Sequence, residues 1–210
     1  MASPKRRLLT VAVWAGVAVV MAAPVLLAAA SPYLAYRNLA YITGGFAGIV
    51  ALALLFVQPL LAAGYLPGTA RDRRWHRLAG AAIVGLVLLH VAGLYITSPA
   101  DTTDALLLVA PTPFSVYGVA ALWGVVAIAA MVALRRRMGL RYATWRLLHN
   151  GVALAVVVAT VIHALQIEGA MEPVSKWALS LAVLAATAAT LLDQRMLRPL
   201  LRRRRGRRRD

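Results

Sequence analysis

The chain has 210 residues, of which 61% are hydrophobic, and it carries a formal charge of +16 and no cysteine. A soluble domain of this length cannot bury so much apolar surface, so the composition predicts an integral membrane protein. Without cysteine there can be no disulfide, thiolate nucleophile or iron–sulfur cluster, and any metal has to be held by histidine or oxygen ligands.

Six apolar segments are long enough to cross a bilayer, and the loops between them are short. In chain order they cover residues 8–30, 40–63, 76–97, 115–134, 147–167 and 174–192. The sequence therefore predicts an all-α integral membrane protein, a six-transmembrane-helix bundle over residues 1–192 that is followed by a basic tail over residues 193–210. We expect the longest loop, residues 98–114, to lie over the membrane face as a short helix or lid.

The first segment shares features with a signal peptide, because a basic start and an apolar run precede a small-residue sequence at 28–31. The apolar run is longer than a usual signal core, and its removal would disturb the alternation of charge between the loops. We therefore interpret this segment as the first membrane span.

The basic residues fall at alternate ends of the predicted spans. Of the 23 lysines and arginines, all but Arg37 and Lys176 lie before the first span, after the sixth, or around the loops that follow the second and fourth spans. Four of the acidic residues lie in the other loops: Asp101, Asp104, Glu168 and Glu172. The positive-inside rule then predicts that both termini are cytoplasmic and that the protein is integral to the cell (inner) membrane.

Nine arginines follow the sixth span. Their simplest role is to anchor the topology and to attract anionic lipid head groups, and the alternative is a docking surface for an acidic cytoplasmic partner. No folded nucleic-acid-binding module or aromatic platform accompanies them, so we expect the lipid bilayer and no nucleic acid as a partner.

The four histidines form two pairs with the same spacing, His76 and His90 in the third span and His149 and His163 in the fifth. Fourteen residues return a helix to within about 40° of its starting direction, so each pair lies on one helix face. The members of a pair are about 21 Å apart along the axis. The two spans run in the same direction, which places His76 at the depth of His149 and His90 at the depth of His163.

Two facing imidazoles at each of two depths match the two ligands that a haem iron takes from the protein. A haem plane between two helices takes one imidazole on each side of its iron, and the six-coordinate site passes electrons. Zinc needs three or four ligands that converge on one point, which ligands some 21 Å apart cannot supply. A proton relay is the remaining alternative, although it would normally recruit carboxylates, and the middles of the spans contain none.

Other residues near the histidines have two interpretations each. Arg37 outside, and Arg77 or Arg146 inside, could pair with haem propionates, whereas Arg37 could equally be an interfacial side chain. The glycines of the histidine spans could admit a macrocycle or simply allow close helix packing; these are Gly80, Gly85, Gly93 and Gly151. Trp75 and Trp145 flank the inner histidines, but interfacial anchoring explains them as well.

Several stretches together resemble the ferric reductase-like transmembrane domain: Tyr36 to Gly44, Pro111 to Ser115, and the two histidine spans. That superfamily includes ferric reductases, NADPH oxidases and the haem-binding subunit of the bacterial periplasmic methionine sulfoxide reductase system. The resemblance covers residues 37–192, and the paired fourteen-residue spacing is its most specific element. It implies two b-type haems, held by His76 with His149 and by His90 with His163, and electron flow from the cytoplasm to the outer face.

Some members of this superfamily continue into a cytoplasmic flavin and nicotinamide domain, whereas this sequence ends eighteen residues after Leu192. We therefore expect a separate donor, which is a cytoplasmic flavin reductase or a quinol. The expected acceptor is ferric iron or a periplasmic reductase. The alternative from another class is a non-redox membrane transporter or assembly factor with structural or proton-handling histidines.

Overall fold

The computed structural model describes residues 3–69 and 73–194. Within these ranges the chain forms seven α-helices and one 3-10 turn at Pro32–Leu34, and no strand. The helices are α1 (Pro4–Ala29), α2 (Leu39–Ala63), α3 (Arg74–Thr97), α4 (Pro99–Leu106), α5 (Pro113–Ala133), α6 (Tyr142–Gln166) and α7 (Pro173–Leu192). Arg71 and the arginines of the predicted basic tail lie outside the described residues.

All of these helices except α4 are long and apolar enough to cross a membrane. They coincide with the six predicted spans, so the prediction of an all-α, multi-pass membrane protein is confirmed. The largest difference is at α6, which begins at Tyr142, five residues before the predicted start. Hydropathy missed this first turn because all of its residues except Ala143 are polar or aromatic, and a helix does not need apolar side chains where it leaves the bilayer. The cytoplasmic location of the termini stays a prediction from charge.

Local sequence signals define both ends of α2. Asn38 precedes the helix, and its side-chain oxygen accepts a hydrogen bond from the backbone N–H of Tyr41 at 2.7 Å. Gly64 ends the helix with a φ of 69°, a left-handed conformation that favours glycine. The residues at its two ends therefore define the extent of α2. This helix also provides the backbone hydrogen-bond partners of two histidines.

The helices pack as a bundle in which α2 has a central place. It packs along both α3 and α7, α1 covers α2 and α7, and α5 packs along α6. The largest fully buried side chains among the described residues, Leu179, Val183 and Ser180, belong to α7. In the described structure α3 and α6 do not pack closely along each other. The two histidine helices therefore face each other as members of two separate packed pairs, α2 with α3 and α5 with α6.

The backbones of α2 and α3 come into close contact where Gly44 meets Gly93. A Cβ atom on Gly93 would lie 2.7 Å from the Cα of Gly44 and 2.6 Å from the carbonyl oxygen of Ala40. Only glycine allows two helix backbones to approach so closely. This contact lies three residues after His90 in α3 and fixes that helix against α2.

The loop that was expected to form a short helix or lid contains α4 in its first half. The chain leaves the helix after Leu106, and Leu108 takes a φ of 60°, which is uncommon for a residue other than glycine. Helix α4 contacts the ends of both α3 and α5. Leu106 lines an apolar cavity of about 460 Å³ together with Tyr95 of α3 and Trp123 of α5. The loop thus connects the two packed pairs of helices at the end opposite the basic loops.

Candidate functional site

The structure brings the four histidines together as two pairs. His76 of α3 faces His149 of α6 with ring centroids 6.4 Å apart. His90 faces His163 with centroids 6.3 Å apart. The two rings of each pair are steeply inclined to each other, at 72° and 78°. Each histidine of α3 therefore faces the histidine of α6 that lies at the same depth, as expected for two helices that run in the same direction.

Both rings of the His90–His163 pair are held by backbone carbonyls of the neighbouring helix. His90 Nδ1 lies 2.8 Å from the carbonyl oxygen of Gly44 in α2, and His163 Nδ1 lies 2.8 Å from that of Phe114 in α5. A carbonyl oxygen can only accept, so each Nδ1 carries the hydrogen and donates it. The lone pair of each ring is then on Nε2, which is the atom left to bind a metal.

A glycine one helical turn after each accepting carbonyl makes room for the histidine ring. A Cβ atom on Gly48 would lie 2.9 Å from His90 Nδ1, and one on Gly118 would lie 2.7 Å from His163 Cε1. Gly48 follows Gly44 by four residues, and Gly118 follows Phe114 by four. We call this arrangement, an accepting carbonyl with a glycine four residues later, the carbonyl–glycine cradle.

His76 rests in a looser version of the same cradle. Its Nδ1 lies 3.3 Å from the carbonyl oxygen of Gln58. Gln58 follows Gly44 by fourteen residues, and His76 precedes His90 by fourteen, so one antiparallel register of α2 and α3 accounts for both contacts. Ala62 takes the place that glycine has in the outer cradle. The methyl group of Ala62, which glycine lacks, is consistent with the longer hydrogen bond of His76.

His149 departs from this pattern. Its Nδ1 is buried and has no hydrogen-bond partner among the described residues. Its ring stacks on the indole of Trp145, with centroids 5.0 Å apart and planes 12° apart. The guanidinium carbon of Arg135, just after α5, lies 4.2 Å from the centroid of that indole. Aromatic stacking and a cation–π contact therefore take the place of a backbone hydrogen bond.

A family model described as the ferric reductase-like transmembrane component matches residues 45–160, slightly more than half of the chain. The chain belongs to this family. No curated protein and no solved structure matches it. The matched residues include His76, His90 and His149, whereas His163 lies three residues beyond the match. Family membership and the six apolar helices together indicate a membrane electron-transfer role.

The histidine pairs of this ferric reductase-like protein have the spacing that one shared iron requires. A metal–imidazole bond is about 2.0 Å and the nitrogen lies roughly 1.1 Å from the ring centre, so two rings on one metal have centroids about 6.2 Å apart. Both observed separations are close to this value. Haem iron takes four ligands from its own macrocycle and needs only two from the protein. The described residues contain no group of three or more histidine or carboxylate side chains that could hold a metal ion.

Three buried polar atoms around the inner pair have no hydrogen-bond partner among the described residues. The Oε1 atom of Gln58, Nε1 of Trp145 and Nδ1 of His149 are buried without a hydrogen-bond partner among the described residues. Buried polar atoms are nearly always paired with protein, water or ligand. Gln58 contacts His76 through its backbone, and Trp145 stacks on His149. The unpaired atoms therefore belong to residues in contact with the inner histidine pair.

Of the arginines predicted to pair with haem propionates, Arg37 lies at one end of the bundle, and Arg77 and the likewise exposed Arg146 lie at the other. Arg37 is exposed, and its guanidinium carbon lies 4.9 Å from the ring centroid of Tyr33 and 4.8 Å from that of Tyr41. Arg77 is exposed in the first turn of α3, one residue after His76. The tyrosine contacts agree with the interfacial role considered for Arg37. Pairing with a propionate stays a prediction for all three arginines.

Sequence reasoning missed Gly48 and Gly118 and selected other glycines. Gly93 serves close helix packing, and Gly80 lies against the side chain of Gln58. At Gly85 and Gly151 a Cβ atom would meet nothing within 4 Å. The antiparallel register that places Gly48 beside His90 and Gly118 beside His163 is set by helix packing and is not marked by the sequence.

Proposed function

We propose that this protein is a transmembrane electron carrier that holds two b-type haems, one between His76 and His149 and one between His90 and His163. The observation that carries this proposal is the repetition of one arrangement: two imidazole pairs on the same two helices, with centroids 6.4 and 6.3 Å apart. A haem held by two imidazoles supplies a six-coordinate iron that accepts and releases single electrons.

The residues of the chain hold and orient the ligands. The carbonyls of Gly44, Phe114 and Gln58 keep the hydrogen on Nδ1 of three histidines, which leaves Nε2 as the ligand atom and increases its basicity. Two histidine ligands on each iron would leave no position there for a substrate. This arrangement favours electron transfer over chemistry on a bound substrate.

We propose further that electrons enter at the level of His76 and His149 and leave at the level of His90 and His163. Basic residues flank the first turns of α3 and α6, among them Arg73, Arg77, Arg141 and Arg146. The positive-inside rule makes this end cytoplasmic, with both termini on that side of the inner membrane. The donor is then a cytoplasmic flavoprotein or a quinol, and the acceptor is ferric iron or a periplasmic reductase.

The optical spectrum of the full chain, purified in detergent from haem-replete cells, tests the two-haem proposal. We expect a low-spin haem b spectrum and a stoichiometry of two haems per chain. Replacement of His90 by alanine should remove one haem and leave the other. A colourless protein would overturn the proposal and would favour the non-redox transporter or assembly factor.

Oxidation of the reduced protein distinguishes the two acceptors. Fast oxidation by a soluble ferric chelate, without any other protein, supports ferric iron as the acceptor. Slow oxidation by the chelate, accelerated only by a periplasmic reductase, supports the second acceptor. Both measurements follow the haem absorbance and need no knowledge of the natural donor.

A further inference from the structure

His149 lies where a fourth carbonyl cradle would be expected. In the antiparallel register of α5 and α6, His163 contacts Phe114 and Gly118. The positions fourteen residues nearer the basic end of each helix are His149 in α6, and Ile128 and Val132 in α5. At the other three sites, the residue four positions after the accepting carbonyl is small: Gly48, Gly118 and Ala62. At the corresponding fourth position the residue is Val132, a β-branched valine that is 50% exposed, and Nδ1 of His149 has no hydrogen-bond partner among the described residues.

Trp145 supplies the contact that is missing on the α5 side. It precedes His149 by four residues, so the two side chains lie above each other on one face of α6. The rings are nearly parallel, at 12°, with centroids 5.0 Å apart. The indole has its own support, because the guanidinium carbon of Arg135 lies 4.2 Å from the ring centroid.

We propose that Trp145 is a positioning residue for His149, and that its indole, supported by Arg135, sets the plane of the inner imidazole. The inference rests on the proposed function, because the plane of the ring matters only if His149 binds an iron. It also makes the two haem sites unequal. Both outer ligands donate Nδ1–H to a carbonyl, whereas one inner ligand is oriented by stacking alone. The inner haem should therefore differ from the outer one in its spectrum and midpoint potential.

The test compares Trp145→Phe with Trp145→Leu in the full chain. Phenylalanine keeps a flat face for the stack, and leucine keeps apolar volume without one. Low-spin electron paramagnetic resonance reports the angle between the two imidazole planes of each haem, and a redox titration reports each midpoint potential. The signals of the inner haem are assigned in His90→Ala, which retains only that site. Trp75→Leu is the matched control, since Trp75 also adjoins an inner histidine but is 53% exposed.

We expect leucine to shift or abolish the inner signal and to shift the inner midpoint potential, while phenylalanine retains both. The outer signal should be the same in every variant, and the control should match the unsubstituted protein. Any other pattern, including equal disturbance of both haems, would overturn the positioning role and leave the two-haem proposal intact. Absence of haem from the unsubstituted protein would overturn both.

Discussion

His90 donates its Nδ1 hydrogen to the carbonyl oxygen of Gly44, 2.8 Å away and 46 residues earlier in the chain. The ring reaches this oxygen because Gly48 has no side chain to stand in its way. The orientation of a histidine in one helix thus depends on the absence of a Cβ atom in another. Substitutions that add or remove such atoms can test this dependence directly.

Gly48→Ala should displace the ring of His90. The new Cβ atom would lie 2.9 Å from Nδ1 and 3.1 Å from Cε1 of the imidazole, closer than ordinary contact allows. Overpacking of this kind costs about 1–3 kcal/mol, and here the cost falls on the hydrogen bond that orients the ring. We expect the haem content to fall from two per chain towards one. Gly45→Ala, where a Cβ atom meets nothing within 4 Å, is the control. Equal haem content in both variants would contradict the cradle.

Gly93→Ala should destabilise the whole bundle. The added Cβ atom would meet the backbones of Ala40 and Gly44, and a backbone cannot rotate away as a side chain can. Separation of α2 from α3 should lower the free energy of unfolding by about 1–3 kcal/mol. Gly85→Ala on the same helix meets nothing within 4 Å and should raise it by up to about 1 kcal/mol through helix propensity. Thermal unfolding in detergent measures both, and a Gly93 variant as stable as the unsubstituted chain would refute the close contact.

Val132→Gly should open the fourth cradle. If the register of α5 and α6 continues from His163 to His149, removal of the valine side chain would let the Nδ1–H of His149 donate to the carbonyl of Ile128, and the stack on Trp145 would no longer be the main contact that orients the ring. In a Trp145→Leu background we expect Val132→Gly to restore the resonance signal of the inner haem. A glycine inside a helix costs about 1 kcal/mol. Val126→Gly carries the same cost on the same helix and should restore nothing. Restoration by neither variant would show that Val132 does not keep His149 from the carbonyl.

The stability of the protein should fall in acid through Glu172, which caps α7. Its carboxylate accepts hydrogen bonds from the backbone N–H groups of Ser175 at 2.7 Å and Val174 at 2.8 Å. These bonds lower the pKa of Glu172 below its ordinary value. The contribution of the cap is complete above the ordinary carboxyl pKa and is lost as the pH falls through the lowered one.

Thermal unfolding as a function of pH checks this expectation. The unfolding temperature should fall more steeply on acidification for the unsubstituted chain than for Glu172→Gln, which has no charge to lose at that position. Parallel curves for the two proteins would mean that the cap does not contribute.

The sequence by itself determined the membrane fold and the four candidate ligands. A bilayer demands about 20 apolar residues per helix, and this requirement can be read from hydropathy without any contact. Helical periodicity then places His76 with His90, and His149 with His163, on single faces. The shared direction of the two spans pairs them by depth. These steps use only the lengths, periodicity and order of the helices, and none needs a contact between helices.

Only the tertiary structure decided what orients each ring. The acceptors are backbone carbonyls, which are the same in every residue, so no side-chain pattern marks Gly44, Phe114 or Gln58 as a partner. Their selection depends on how far one antiparallel helix slides and turns against its neighbour. For the same reason Gly48 and Gly118 could not be told from glycines that serve packing. Trp145 could equally be an interfacial anchor until its indole was found in contact with both Arg135 and His149, whose Nδ1 has no hydrogen-bond partner among the described residues.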